Sequence, residues 1–251
     1  MKAVAYEVPG SIDRPDALLD ITLEIPEAAG RDLLVKVIAV SVNPVDVKVR
    51  RSMPPEGSEW RVLGFDAAGV VEAVGPEVQD FKPGDAVFYA GSLVRPGTNS
   101  EYHLVDERIV GRKPATLSDA EAAALPLTAI TGWEMLFDRL DVIHPPAQGG
   151  DLILVIGGGG GVGSITIQLL RALTDLTVIA TASRAETQDW VRECGAHHVI
   201  KHREPLVPQV EALGLGARGF VFSTTQTDLH YADIVELFAP QGRFGVSDSP
   251  D

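Results

Sequence analysis

Residues 155–163 read VIGGGGGVG, five glycines in a row directly after the apolar run LILVI at residues 152–156. Residues 162–173 follow, with Val162, Ile165, Leu169 and Leu173 on one stripe at helical spacing. An apolar strand, a glycine turn and an amphipathic helix in that order restrict the fold more than any other feature of the chain. A strand with no polar alternation is what a parallel sheet covered on both faces requires. Gly158, Gly160 and Gly163 satisfy G-x-G-x-x-G, and Gly161 and Val162 complete the same loop. Glycine permits the tight turn and lets backbone N–H groups approach a pyrophosphate, while the helix N-terminus adds partial positive charge.

The same grammar continues downstream. Strands are predicted over residues 176–181, 198–200, 219–223 and 243–246, with helices over 185–194, 206–213 and 229–238 between them. Strict alternation implies right-handed crossovers and a doubly wound parallel sheet, the α/β class. The upstream residues read differently. Short strands over residues 2–6, 33–42, 69–74 and 86–89 are separated by Gly/Pro turn signals, which points to a barrel-like β fold. No long helix is predicted before about residue 118. There Ser118 and Glu121 form a capping box, Pro126 interrupts, and a second helical stretch runs over residues 129–139. The expected domains are residues 1–121 and 122–251.

A dinucleotide preference is read at the end of the second strand, where an acidic residue about 20 positions on would hold a ribose 2′-hydroxyl. Ser183 stands 183 − 163 = 20 residues beyond the last glycine, followed by Arg184, and no carboxylate occupies the spot. A guanidinium pairs with a 2′-phosphate, so NADPH is the expected cofactor. Lys201 and His202 could add to that pocket. The plain alternative is that Ser183 caps the next helix and Arg184 is a solvated first-turn residue.

Composition excludes several classes. The 251 residues carry 21 basic and 35 acidic side chains, a net of −14, so there is no general attraction to nucleic acid or an anionic membrane. One cysteine, Cys194, excludes an internal disulfide and any metal site built from several cysteines. Residues 1–10 lack a charged-then-apolar leader, and no apolar run is long enough to span a bilayer. A cytoplasmic location is expected. No Ser/His/Asp or Cys/His nucleophile is visible. Asp138 and Asp141 read as a solvated loop edge, and His197 and His198 as structural strand neighbours facing opposite ways.

Several strings together carry a resemblance over essentially the whole chain: MKAV at residues 1–4, SVNPVD at 41–46, GFDAAGVV at 64–71, PGD at 83–85, LPLTAITGWE at 125–134, and the glycine loop. In this the chain resembles the medium-chain dehydrogenase/reductase superfamily, its quinone oxidoreductase branch, and within that the zinc-type alcohol dehydrogenase-like group. The resemblance implies a GroES-like β-barrel domain followed by a Rossmann domain, and a homodimer. Zinc members bind catalytic metal with a cysteine, then a His-Glu pair, then a third ligand. Here those positions read Asn43 and Phe65-Asp66, the cysteine-rich lobe for structural zinc is missing, and the only histidine of the first half, His103, is a strand residue. Zinc needs three or four convergent ligands, so no metal is expected.

The implied activity is then NADPH-dependent hydride transfer to a quinone or an α,β-unsaturated carbonyl, small molecules already electrophilic without a metal. By the resemblance, Asn43 and Asp46 lie where nicotinamide meets substrate, and Thr128 on the nicotinamide side. Gly160, Gly161 and Gly163 lie under the pyrophosphate, and Ser183 and Arg184 near the 2′-phosphate. His202 takes a position where relatives often carry a tyrosine beside the adenosine ribose. Each residue has a structural alternative: Asn43 as a turn before Pro44, Asp46 as a helix cap, Thr128 and Thr131 as helix-start hydroxyls. Two other functions stay open, a zinc alcohol dehydrogenase and a non-catalytic NADPH-binding protein. Resembling proteins continue past the fifth strand with a sixth and a return segment, so the expectation is a C-terminally shortened chain with its fifth strand at an edge.

Overall fold

Valine-rich segments punctuated by Gly/Pro turns build antiparallel sheet in the first of two units, Met1–Leu127. The computed structural model describes residues 1–57 and 59–247. Ser58 and residues 248–251, the latter at the end of the expected second domain, lie outside the described residues. The elements of this unit are β1 (Lys2–Tyr6), β2 (Leu19–Thr22), β3 (Asp32–Ser41), α1 (Pro44–Ser52), β4 (Arg61–Val62), β5 (Asp66–Val74), β6 (Ala86–Ala90), β7 (Tyr102–Asp106), β8 (Val110–Arg112) and α2 (Asp119–Ala123). Among the described residues they form a three-stranded sheet, β2-β1-β4, and a five-stranded one, β7-β3-β5-β6-β8. Leu33, Val35, Ala67, Val71, Val87 and Tyr89 fill the core of the larger sheet. Its antiparallel register sets Ser41 opposite Asp66, which brings the end of β3 beside the start of β5.

The nine-residue α1 lies where no long helix was expected. Val45, Val47 and Val49 alternate as a strand would, but Pro44 sits in the first turn and Asp46, at the third helical position, accepts the backbone N–H of Asn43. These local bonds nucleate the helix against its β-branched composition. Tyr6, fully buried, fastens the other end by donating its hydroxyl to the carbonyls of Val49 (3.1 Å) and Met53 (2.6 Å). The Ser118–Glu121 capping box opens α2 as expected.

Next comes α3 (Pro126–Trp133), which starts three residues before the expected helix because proline fits a first turn. It runs on as a π-helical segment over Glu134–Arg139. The second unit, Thr128–Asp251, holds β9 (Leu152–Ile156), α4 (Gly161–Leu173), β10 (Thr177–Thr181), α5 (Ala185–Glu193), β11 (His198–Ile200), α6 (Leu206–Glu211), β12 (Arg218–Ser223), α7 (Thr227–Leu237) and β13 (Phe238–Val246). Among the described residues the sheet order is β11-β10-β9-β12-β13, all pairs parallel. This is the doubly wound arrangement, with the order reversing between β9 and β12. β9 and β12 are buried along their whole length, as strands covered on both faces must be. The buried residues of α4 are Gly163, Ser164, Thr166, Ile167 and Leu170; Leu173, at the end of the expected stripe, is exposed. β13 starts at Phe238, five residues earlier than expected, and takes over the last residue of the predicted helix, since α7 ends at Leu237.

Candidate functional sites in the two units

In doubly wound sheets a ligand sits outside the carboxyl ends of the strands, where their order reverses. The glycine loop leaves β9 at that place. Thr181, buried at the end of β10, holds it: its hydroxyl accepts the N–H of Gly157 (2.9 Å) and its carbonyl that of Gly158 (3.0 Å). Gly160 N–H closes the turn on the Gly157 carbonyl (3.1 Å). Gly157 has φ +86°, and a Cβ there would overlap the Thr224 hydroxyl, which itself donates to the Ile156 carbonyl (2.9 Å). A Cβ on Gly163 would overlap the Gly157 carbonyl. Both positions therefore require glycine. Gly160 caps α4, and the first-turn N–H groups of Gly161, Val162 and Gly163 have no intrahelical acceptor. Half-buried Thr128 lies against Gly161: a Cβ there would come to 3.1 Å from the Thr128 methyl. The cradle fits a dinucleotide pyrophosphate, since close backbone approach and oriented N–H groups are what that group demands. Gly157, Thr181 and Thr224 escape a motif reading because their roles rest on contacts between separate strand ends.

At the end of β10, Arg184 takes the capping position of α5 and Ser183 does not. The Ser183 hydroxyl instead accepts the backbone N–H of Arg203 (3.2 Å), which brings Arg203 into the group. Both guanidinium-bearing residues are exposed, and neither is ion-paired among the described residues. Lys201 is neutralised by Glu204 (2.9 Å). His202 keeps a buried Nδ1 without a hydrogen-bond partner. Burial holds its pKa below the usual histidine value, and nearby His230 and Arg203 push the same way. An anionic ligand placed at this strand end would meet Ser183, Arg184, His202 and Arg203, the last without a sequence signal.

The first unit holds a second cluster. Asn43 and Asp46 are almost fully buried, and Asp66 completely. The Asp66 carboxylate accepts the Asn43 side-chain amide (2.8 Å) and the Ser41 hydroxyl (2.8 Å) on Oδ2, and the Leu127 N–H (2.8 Å) on Oδ1. Asp46 accepts the backbone N–H groups of Asn43 (2.8 Å) and Gly64 (3.0 Å). Burial raises the pKa of both carboxyls against the pull of these donors, and the Asp46 charge adds to the rise at Asp66. His103 lies on β7, bonded to the Tyr89 hydroxyl (3.0 Å) and the Pro96 carbonyl (2.9 Å), as a filled core histidine. Among the described residues no group of three or more His, Cys, Asp or Glu side chains is placed to hold a metal ion. Nor is any helix long and apolar enough to cross a membrane.

Residues 29–115 match the alcohol dehydrogenase GroES-like domain. The chain is 44% identical over 243 residues to the zinc-type alcohol dehydrogenase-like protein SAS2087 of Staphylococcus aureus, covering 96% of this chain and 72% of that one. It is 35% identical over 210 residues to the NADPH-dependent alkenal/one oxidoreductase of Arabidopsis thaliana, covering 80% and 52%. Among solved structures, a protein of Rhizobium etli described as a zinc-dependent alcohol dehydrogenase superposes with a TM-score of 0.98 at 64% identity, over 100% of this chain and 73% of that one. The Escherichia coli quinone oxidoreductase complexed with NADPH gives 0.81 at 26% identity, over 100% and 76%. The antiparallel GroES-like unit, the doubly wound unit with its glycine cradle and these likenesses agree: the chain belongs to the medium-chain dehydrogenase/reductase superfamily of oxidoreductases, among its zinc-type alcohol dehydrogenase-like members.

Proposed function

We propose that this chain is an NADPH-dependent oxidoreductase that delivers hydride to a quinone or an α,β-unsaturated carbonyl without a metal. Asn43 and Asp46 serve the reaction. Thr128, Gly158, Gly160, Gly161, Val162, Gly163, Ser183, Arg184 and His202 hold the cofactor. One observation carries the metal-free reading: the Asp66 carboxylate is occupied by three hydrogen-bond donors, one of them the Asn43 amide. A carboxylate ringed by donors and an amide turned into it do not make the convergent ligand set that zinc requires.

When bound, the nicotinamide supplies a hydride. The protein's part is to bind and orient. Backbone N–H groups at the start of α4 meet the pyrophosphate, and Arg184 and Arg203 favour a 2′-phosphate over a bare ribose hydroxyl. Without a Lewis acid, charge arriving on the acceptor oxygen must be spread within the acceptor, which conjugated quinones and enones do and simple ketones do not. The names of the alkenal/one oxidoreductase and of the NADPH-bound quinone oxidoreductase support this reading.

The test is NADPH oxidation followed by absorbance with an ortho-quinone and with an alkenal, with NADH as control, before and after chelation. The expected result is turnover that prefers NADPH and ignores the chelator. Activity lost on chelation and restored by zinc would point to an alcohol dehydrogenase instead. Tight NADPH binding without turnover would point to a non-catalytic protein.

A further inference from the structure

Five consecutive glycines, Gly157 to Gly161, leave a loop with more backbone freedom than any other residue type would allow, so its peptide groups must be fixed from outside. A pair of side chains behind the loop does this. Trp190, on α5, donates its indole N–H to the Ser164 hydroxyl (2.7 Å). An indole nitrogen is a donor only, so at this contact the hydroxyl accepts. Its single proton is left for a carbonyl, and that of Gly160 lies at 2.7 Å against 3.4 Å for that of Gly158. The Gly160 carbonyl accepts the Ser164 backbone N–H as well (2.8 Å). Helical serines bond the carbonyl four residues back in many proteins; here the indole adds a direction to that bond. α5 also meets the loop at a second point, where a Cβ on Gly159 would come to 3.1 Å from the Thr187 Cβ. Thr187 and Trp190 are three residues apart and share one face of α5.

The Gly160 carbonyl and the Gly161 N–H belong to one planar trans peptide and point opposite ways. Two donors on the carbonyl therefore fix the direction of the N–H, and they polarise it as bonds in a chain do. That N–H is the first of the three at the start of α4 without an intrahelical acceptor. We propose that Ser164 and Trp190 are positioning residues that hold the Gly160–Gly161 peptide with its N–H toward the pyrophosphate of a bound dinucleotide. This rests on the proposed reading of the glycine loop as the cofactor cradle. Ser164, buried, acts only through the peptide, and half-exposed Trp190 acts only through Ser164. The pyrophosphate is common to NADPH and NADH, so the pair serves both and does not read the 2′-position.

The test is calorimetric titration of the full chain with NADPH, with NADH and with adenosine 2′-phosphate, which lacks the pyrophosphate. Ser164→Ala removes the hydroxyl from a helix that alanine favours, and Trp190→Phe removes the N–H of a half-exposed ring, so both variants are expected to fold. Each is expected to weaken NADPH and NADH alike by about fivefold, the worth of one hydrogen bond. Adenosine 2′-phosphate is expected to stay within twofold of the parent. The double variant is expected to match Ser164→Ala within twofold, because the two residues act as one unit. A pair with a purely structural role would lower the thermal midpoint and leave the three Kd values in place. Parental dinucleotide Kd values in either single variant therefore overturn the proposal. Losses that multiply, or that extend to adenosine 2′-phosphate, overturn it too, and in all these cases the cradle stands. A parent that binds neither dinucleotide overturns the cradle and the positioning pair with it.

Discussion

The Ser183 hydroxyl accepts the backbone N–H of Arg203 across a 3.2 Å hydrogen bond, joining the loop after β10 to the loop after β11. The bond brings two cationic residues, Arg184 and Arg203, neither of them ion-paired among the described residues, to the flanks of one hydroxyl. A phosphate placed there would gain charge-assisted bonds from both. Because both are exposed, each contribution is screened by salt. Arg184→Ala and Arg203→Ala are each expected to weaken NADPH binding about tenfold at low salt, and less at high salt, while NADH binding holds. Fluorescence titration with the two cofactors at two salt concentrations checks this. Equal losses for NADPH and NADH would mean that these arginines do not read the 2′-position.

How much of this was legible in advance depends on how local each signal is. The strand, glycine turn and helix over residues 152–173 lie within one stretch, as does the Ser118–Glu121 cap, and both read directly. The helix α1 was hidden by its alternating valines, although the Asn43, Pro44 and Asp46 that start it were in view. Arg203 stands 20 residues from Ser183, and only the pairing of β10 with β11 brings the two together. Asp66 reads from the chain as a position, the place of a metal ligand in zinc relatives. Its occupation by Ser41, Asn43 and Leu127 needs the register of β3 against β5 and the start of α3. Local order fixes elements, and side-chain partnership across elements fixes roles.

His103 gives the first unit an acid-sensitive core. Its ring lies between the Tyr89 hydroxyl and the Pro96 carbonyl, and burial lowers its pKa to about 4. The unfolded chain takes up that proton near the ordinary value of 6.5. From about 6.5 down to about 4 the unfolded state therefore binds more protons, and stability falls as pH falls; above that window this contribution is complete and flat. The full loss is on the order of 3 kcal/mol. Urea unfolding at pH 7.5, 6 and 5 should show a shallower decline for His103→Gln than for the parent, even though the variant starts lower. Parallel declines would mean that other groups set the acid sensitivity.

The three glycines of the cradle make separable predictions. At Gly163 a methyl group would meet the Gly157 carbonyl and the Gly158 Cα, backbone atoms that cannot swing aside. At Gly157 it would meet the Thr224 hydroxyl on a residue already at φ +86°, a region costing an L side chain roughly 1–2 kcal/mol. At Gly160 the nearest atom is the Gly157 carbonyl oxygen at 3.5 Å, ordinary contact, and φ is −83°. Gly163→Ala and Gly157→Ala should therefore lower the thermal midpoint of the second unit. Gly160→Ala should cost less, staying within about 1 kcal/mol of the parent in stability, because alanine is a poorer helix cap than glycine but restricts the unfolded chain. Its main effect should appear in NADPH affinity, where a methyl group would stand between the backbone and the pyrophosphate. Thermal melts read beside NADPH titrations separate the two kinds of glycine. Full affinity in Gly160→Ala would place the pyrophosphate away from that residue and leave the first-turn N–H groups of Gly161, Val162 and Gly163 as its contacts.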